Sequence, residues 1–224
     1  MKNVVVLQFP GTNCEYDTKY AFEKLGANVS IVWHEETKIP SDTNLVVLPG
    51  GFSYGDYLRS GALAKHAPIM DAIKTYAANG GKVLGICNGF QILTETGLLP
   101  GALKRNDNLH FISKHQTIKV IDNNNTFLSE LNNGDILNIP VAHHDGNFFI
   151  DEDGLKQLQD NGQVLLQYCD KDGNAKKLNG SVEQIAGICN KDKNVFGLMP
   201  HPERAMETLL GCDHGVKMLE GFLK

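Results

Sequence analysis

The chain has 224 residues, of which 42% are hydrophobic, and this length and composition suit one large α/β domain over residues 1–224. A net charge of −5 argues against a surface that binds nucleic acid or anionic membranes. The five cysteines have no CxxC or zinc-type spacing, no signal-peptide pattern opens the chain and no apolar run could span a bilayer, so we expect a cytoplasmic protein.

Apolar segments alternate with helical patterns through the first hundred residues. Thr12 or Asn13 is predicted to cap a first helix that ends at Gly26, and Pro68 is predicted to open a second helix. The predicted strands lie at 4–9, 29–33, 45–48 and 83–86. Because these strands are apolar and alternate with helices, the sequence predicts a mainly parallel sheet covered on both faces, with ligands at the carboxyl ends of the strands.

A polar, glycine-rich segment follows the third predicted strand. The strand ends in Pro49, Gly50 and Gly51, and the segment from Phe52 to Gly61 is too polar to be a core element. We therefore expect a functional loop at the carboxyl end of this strand.

The fourth strand ends in a reactive residue between two glycines, in the sequence Gly-Ile-Cys-Asn-Gly at 85–89. A sharp turn from strand to helix strains its central residue, and the neighbours two residues away must lack side chains to avoid a clash. The turn places the sulfur of Cys87 at a helix N-terminus, which favours the thiolate, and the N–H of Asn88 can hold an oxyanion. The pattern predicts a cysteine nucleophile.

The composition changes after about residue 103, where short strand-like segments are separated by turns rich in Asn and Asp. This spacing predicts additional antiparallel strands. The remaining predicted elements are a short helix at 155–159, a strand at 164–168, a turn at 171–174, a strand pair at 185–189 and 195–199, and a last helix at 216–223.

A cysteine nucleophile needs a base, and His201 stands apart among the eight histidines. It follows an apolar strand in the sequence Met-Pro-His-Pro-Glu-Arg at 199–204. Prolines on both sides favour an extended backbone, in which residues two apart project to the same side. We therefore expect His201 and Glu203 to lie side by side as base and orienting carboxylate.

The segment His143-His144-Asp145 is the main competitor for the role of base. Adjacent residues on a strand point to opposite faces, so the two histidines cannot easily share a metal ion. We predict contact with substrate by His143 and Asp145, and no metal site. The absence of Walker A and GxGxxG motifs argues against a self-contained ATP or NAD site.

Two groups of residues carry a resemblance to a known family. The segment from Gly85 to Gln91, with His201 to Glu203 downstream, resembles the class I (triad) glutamine amidotransferases. The segment from Pro49 to Arg59, with 185–188 and 199–205, is similar to the small glutaminase subunits of phosphoribosylformylglycinamidine synthases. The resemblance covers nearly the whole chain. It implies a flavodoxin-like α/β fold with a mainly parallel sheet, flanking helices and additional antiparallel strands.

The resemblance implies hydrolysis of L-glutamine to glutamate and ammonia. Cys87 would attack the amide carbon, His201 would carry the proton and Glu203 would orient His201, with the N–H groups of Gly51 and Asn88 as oxyanion donors. The substrate-binding residues that it implies are Gly50, Gly51, Phe52, Asn88, Gln91, His143 and Asp145.

The resemblance also implies partners for this chain. Ammonia would pass to a separate large synthetase subunit, which uses ATP and Mg²⁺ to convert formylglycinamide ribonucleotide (FGAR) to its amidine (FGAM) in purine biosynthesis. A small bridging subunit is expected as well, whereas no cofactor is expected in this chain.

Three alternatives stay open at this stage. Other triad amidotransferases, such as those for anthranilate, GMP or pyridoxal phosphate, share the cysteine motif, although the loop from Gly50 to Arg59 argues against them. Cysteine proteases and deglycases of the same fold often have His directly after the nucleophile, where this chain has Asn88. A non-enzymatic regulator would need no intact triad, yet all three triad residues are present.

Overall fold

The computed structural model describes residues 1–224 and contains eleven β-strands and five α-helices. The strands are β1 (Asn3–Gln8), β2 (Asn28–Trp33), β3 (Leu45–Leu48), β4 (Lys82–Ile86), β5 (Ala102–Lys104), β6 (Ile112–Val120), β7 (Ile136–His143), β8 (Asn147–Phe149), β9 (Val164–Tyr168), β10 (Ile185–Cys189) and β11 (Val195–Leu198). The helices are α1 (Glu15–Lys24), α2 (Ile69–Ala78), α3 (Asn88–Glu95), α4 (Glu152–Asp160) and α5 (Gly215–Phe222).

Nine strands form one sheet in the order β2-β1-β3-β4-β11-β10-β9-β6-β7, and β5 pairs separately with β8. The pairs from β2 to β11 are parallel, whereas those from β11 to β7 are antiparallel. The predicted fold class, a mainly parallel sheet with additional antiparallel strands, is therefore confirmed. The antiparallel part is built entirely from the second half of the chain, where the sequence changes in composition.

The core follows from continuous apolar runs at the centre of the sheet. Every residue of β3, β10 and β11 is buried, which is the pattern of strands covered on both faces. An aromatic cluster fastens α5 to the sheet: Phe127, Phe196 and Phe222 have ring centroids 4.9 to 5.7 Å apart. These contacts belong to a single buried hydrophobic cluster of 55 residues.

Three neighbouring parallel strands place the predicted site residues at one edge of the sheet. Leu48 of β3 is in register with Gly85 of β4, and Ile86 of β4 is in register with Leu198 of β11. The chain therefore leaves all three strands at the same level. The segments that follow begin with Pro49, Cys87 and Met199.

Local details differ from the sequence-based expectations. Neither Thr12 nor Asn13 caps α1, because Cys14 is the N-cap residue and no side chain caps the helix. The Thr12 hydroxyl instead accepts a hydrogen bond from the backbone N–H of Phe9. Helix α4 is longer than predicted and begins after Asp151, whose side chain accepts from the N–H of Gly154 at 2.8 Å.

The helices are too short or too polar to cross a membrane: none of them combines the required length with the required apolarity.

The aromatic cluster gives a stability prediction. Replacing Phe196, which is fully buried between Phe127 and Phe222, with Ala should lower the free energy of unfolding by about 3–5 kcal/mol, because it removes packed apolar area and leaves a cavity. Urea denaturation measures the change. Leu209→Ala, at a side chain that is 92% exposed, is the control and should change stability by less than ~0.5 kcal/mol. Equal effects of the two substitutions would contradict this account of the core.

Candidate active site

The turn from β4 to α3 has the geometry that its glycine pattern predicts. Cys87 sits at the turn with φ 50° and ψ −104°, a backbone conformation that L-residues rarely adopt. A side chain at Gly85 would lie 2.7 Å from the backbone of Gly89, and one at Gly89 would overlap the carbonyl oxygen of Leu48. Both glycines are therefore required by close backbone approach, which is the physical reason inferred from the sequence.

His201 and Glu203 form a buried pair next to this turn. The Nδ1 atom of His201 lies 2.6 Å from Oε1 of Glu203, and their side chains are 2% and 0% exposed. The predicted proximity of the two side chains is present. The predicted cause, an extended backbone, is partly wrong, because Pro202–Arg204 forms a 3₁₀ turn. The N–H of His201 donates to the carbonyl of Pro140 at 2.8 Å, which fixes the base against β7.

The electrostatic surroundings favour a protonated His201. Burial by itself lowers the pKa of this imidazole, but the negative charges of Glu203 and Cys87 outweigh burial and hold the pKa well above its usual value. The site is therefore arranged to hold an imidazolium beside the cysteine, which is the state in which His201 can donate a proton to a leaving group.

Cys87 and His201 share one pocket with a volume of about 270 Å³. The Sγ atom of Cys87 also lies 3.6 Å from the carbonyl oxygen of Ala142 on β7. The other lining residues are Asn13, Cys14, Gly51, Phe52, Phe111, Ser113, Ala142 and Arg204. A pocket of this volume can hold a molecule of amino-acid size.

Two backbone N–H groups near Cys87 have no acceptor within the protein. Neither the N–H of Gly51 nor that of Asn88 donates a hydrogen bond within the protein. Asn88 begins α3, so its N–H also has the favourable helix dipole behind it. Gly51 has φ 145°, and a side chain there would lie 2.8 Å from the backbone nitrogen of Asn13. Binding of an oxyanion by these two N–H groups stays a prediction.

Gly50 is packed against the predicted base. A side chain at this position would lie 2.7 Å from Cε1 of His201 and 3.0 Å from Sγ of Cys14. Its carbonyl accepts from the N–H of Cys14 at 3.2 Å. The structure thus gives Gly50 a spacing role beside His201, and a role in substrate binding stays a prediction.

The side chains of Asn88 and Gln91 are occupied by protein partners. Asn88 accepts from the N–H of Ser53 at 3.1 Å and donates to Oε1 of Gln91 at 2.9 Å. Gln91 in turn donates to the carbonyl of Asp145 at 2.7 Å. These bonds join α3 to the loop after β3 and to the turn after β7, so both side chains hold the pocket walls together.

Asp145 lies in a neighbouring groove, outside the pocket that contains Cys87. Its carboxylate accepts from the hydroxyl of Ser60 at 3.0 Å and from Nε of Arg105 at 3.2 Å. Direct contact of Asp145 with a substrate at Cys87 therefore has no support in this arrangement, although the Gln91 bond connects Asp145 to the site.

His143 is a buried neutral residue in these surroundings. Burial lowers its pKa to about 4, and the nearby charge of His201 acts in the same direction. The Oδ1 atom of Asn106 lies 3.1 Å from Nδ1 of His143 and also accepts from the N–H of Gly146, which assigns the Nδ1–H tautomer. An amide orients this ring, whereas a carboxylate orients His201. Of the two histidines, His201 has the environment of a base for a thiol.

Cys14 and Arg204 line the pocket but were not predicted from the sequence. Nη2 of Arg204 lies 3.1 Å from Sγ of Cys14, and its Nε donates to Asp17 at 3.1 Å. Burial raises the pKa of the Cys14 thiol, although His201 and Arg204 oppose that shift, so the surroundings of Cys14 disfavour the thiolate that a nucleophile needs. The sequence offered one signal for Cys14, which is its position: it follows the carboxyl end of β1, and β1 pairs with β3.

The close approach of α3 to β3 gives a prediction about Cys87. In Gly89→Ala the new methyl group would collide with the Leu48 carbonyl, displace the first turn of α3 and slow alkylation of Cys87 by iodoacetamide at least ~10-fold. Gly80→Ala is the control for a general loss of stability: its φ of +84° makes a side chain there strained, but no atom lies within 4 Å, so it causes no collision at α3. Peptide mapping of alkylated Cys87 measures both rates. A wild-type rate in folded Gly89→Ala would contradict the assigned role of this glycine.

Comparison with known proteins agrees with this geometry. The model of the family described as "CobB/CobQ-like glutamine amidotransferase domain" matches residues 1–212. The chain is 67% identical over 221 residues to "Phosphoribosylformylglycinamidine synthase subunit PurQ" of Sulfurimonas denitrificans, with 99% of each chain covered. It is 60% identical to the protein of the same name from Wolinella succinogenes, covering 98% of this chain and 99% of the relative.

Among solved structures, a chain described as "Structure of PurLQS from Thermotoga maritima" has a TM-score of 0.89 and 41% identity, with 99% of this chain and 97% of that chain covered. The family match, the high identity along nearly the full length and the shared fold lead to one conclusion: the chain belongs to the CobB/CobQ-like glutamine amidotransferase family.

Proposed function

We propose that this protein is the glutaminase subunit of a phosphoribosylformylglycinamidine synthase. It hydrolyses L-glutamine to glutamate and ammonia and supplies the ammonia for the conversion of FGAR to FGAM. The observation that carries the chemistry is the pair His201–Glu203, 2.6 Å apart, in the same pocket as Cys87. The shared name of the most similar relatives supports the assignment to this synthase.

The proposed reaction begins with attack of the Cys87 sulfur on the amide carbon of glutamine. His201 takes the thiol proton and then gives it to the departing ammonia, which leaves a glutamyl thioester on Cys87. His201 next takes a proton from water, the resulting hydroxide attacks the thioester, and the proton returns to Cys87 as glutamate leaves. Glu203 accepts a hydrogen bond from Nδ1 of His201 throughout and stabilises the imidazolium.

In both steps the amide oxygen of the substrate gains negative charge. The free N–H groups of Gly51 and Asn88 would donate to it, and each such donor contributes about 10²–10³ in rate in comparable sites. Phe52, which lines the pocket and is 45% exposed, would cover the aliphatic part of glutamine. Gln91 and Asp145 are assigned to holding the pocket walls together, and Gly50 provides space beside His201. Contact of Gln91, His143 and Asp145 with substrate stays a prediction.

The proposal includes the partners of this subunit. A large synthetase subunit binds ATP and Mg²⁺ and receives the ammonia, and a small bridging subunit joins the two. The name PurLQS on the similar structure supports partnership with PurL and PurS. We propose that residues 1–224 act as one amidotransferase domain, that this chain needs no cofactor, and that it works in the cytoplasm, where its five cysteines stay reduced.

The first test concerns the nucleophile. Cys87→Ala should lower glutamine-dependent FGAM formation by the assembled complex at least ~10³-fold, because no thioester can form. FGAM formation with added ammonium salt should persist, because the synthetase site lies on the partner. Cys169→Ala, at a buried cysteine outside the pocket, should keep the glutamine-dependent rate. Loss of both the glutamine and ammonia reactions in Cys87→Ala would argue against the proposal.

A second test concerns the charge of Glu203. Glu203→Gln removes the negative charge that helps to raise the pKa of His201, so the imidazolium should lose its proton at lower pH. The alkaline limb of kcat/KM for glutamate release should therefore move to lower pH. His201→Ala should lower the rate ~10³-fold at every pH. The proposed roles fail if Glu203→Gln leaves the pH profile in place, or if His201→Ala stays active while His143→Ala does not.

A further inference from the structure

Cys14 lies within ligand distance of the catalytic pair, although the proposed reaction gives it no role. Its sulfur, a ring nitrogen of His201 and a carboxylate oxygen of Glu203 all lie within 4.8 Å of one another. The three residues are 1%, 2% and 3% exposed. They come from two distant parts of the chain, the N-cap of α1 and the segment after β11, so sequence spacing gives no sign of this cluster.

Two atoms of the cluster have unused binding capacity. Nε2 of His201 and Oε2 of Glu203 are buried polar atoms with no hydrogen-bond partner. Such atoms are costly to bury unless a ligand or substrate satisfies them in some state of the protein. The Cys14 sulfur points into the same region, because a side chain on Gly50 would meet both Sγ of Cys14 and the His201 ring.

The donor set is specific in its chemistry. A thiolate, an imidazole and a carboxylate are the ligands that Zn²⁺ and Co²⁺ take in tetrahedral sites, whereas Mg²⁺ and Ca²⁺ require oxygen ligands. Bonds of about 2.0–2.3 Å place tetrahedral ligand atoms about 3.5 Å apart. Side-chain shifts of about 1 Å are therefore enough to bring three atoms within 4.8 Å into coordination. The ion has a way in, since Cys14 and His201 both line the pocket.

We propose that Cys14, His201 and Glu203 form an inhibitory Zn²⁺ site. On binding, the Cys14 thiol and the His201 imidazolium each release one proton to solvent, and the freed lone pair of His201 binds the ion. A solvent molecule completes four-coordination. Zn²⁺ then occupies the base that Cys87 needs, so the ion switches off glutamine hydrolysis reversibly. Nη2 of Arg204 lies 3.1 Å from the Cys14 sulfur, where its positive charge favours the thiolate that the site requires.

Spectroscopy of the full chain with Co²⁺ tests the site without any activity measurement. One equivalent of Co²⁺ should give the near-ultraviolet sulfur-to-cobalt band and the visible bands of a tetrahedral site, and Zn²⁺ should remove them. The sulfur band should be lost in Cys14→Ser and Cys14→Ala and retained in Cys87→Ala and in the control Cys169→Ser. Absence of the band in the unmodified chain, or its loss in Cys87→Ala with retention in Cys14→Ser, would overturn the proposal.

A second measurement avoids dependence on how the variants fold. In the unmodified chain, Zn²⁺ should slow alkylation of Cys14 at least ~10-fold, and the alkylation rate of Cys212, which lies outside the pocket, should stay unchanged. Peptide mapping gives both rates from one sample. An unchanged rate at Cys14 with saturating Zn²⁺ would overturn the site even if the Cys14 variants do not fold.

The effect on activity rests on the proposed glutaminase function. Zn²⁺ should inhibit glutamate release by the assembled complex, and EDTA should restore it. With each protein compared with its own metal-free rate, Cys14→Ser should need at least ~10-fold more Zn²⁺ for half inhibition. A complex without any glutaminase activity would contradict the proposed function and leave the Co²⁺ result standing. A normal metal-free rate with equal Zn²⁺ sensitivity in Cys14→Ser would contradict the inhibitory site alone.

Discussion

The contact between the first turn of α3 and the end of β3 sets the geometry of the whole site. Gly89 packs directly on the carbonyl of Leu48, with no room for a methyl group. This approach brings the helix that carries the Asn88 N–H beside the loop that carries the Gly51 N–H. The strained backbone at Cys87 follows from it, because the chain must turn within one residue to reach the helix. A looser contact would separate the nucleophile from the proposed oxyanion donor on Gly51.

The site also depends on a charged pair in the apolar interior of the protein. His201 and Glu203 are almost fully buried, and charges in such positions lose the favourable interaction with water. Their 2.6 Å contact offsets part of that cost, and the polar atoms left without partners show that the offset is incomplete. The apolar strands around the pair supply stability elsewhere in the fold. The site therefore lowers the stability of the fold locally, and the large apolar core compensates for that loss.

Sequence reasoning found the parts of the site that depend on short-range constraints. The glycines around Cys87 and the pair His201–Glu203 are encoded within a few residues, so pattern alone predicts their proximity. It did not find Cys14 and Arg204, because their place in the pocket depends on the packing of α1 beside the segment after β11. Its assignment of Asp145 to substrate contact stays a prediction, and it gave no sign that the carboxylate bonds to Ser60 and Arg105 in a neighbouring groove. Orientation of a loop side chain depends on partners far along the chain.

The sheet order has a consequence for how the protein is made. Strands β4 and β11 are hydrogen-bonded neighbours, yet about half of the chain lies between them, and closing so long a loop is entropically unfavourable until the intervening strands have formed. During synthesis the reactive cysteine emerges long before its base. Until β11 takes its place between β4 and β10, the growing chain has a nucleophile with no partner to activate it. Under the proposed mechanism, hydrolysis of glutamine becomes possible only when β11 has joined the central sheet.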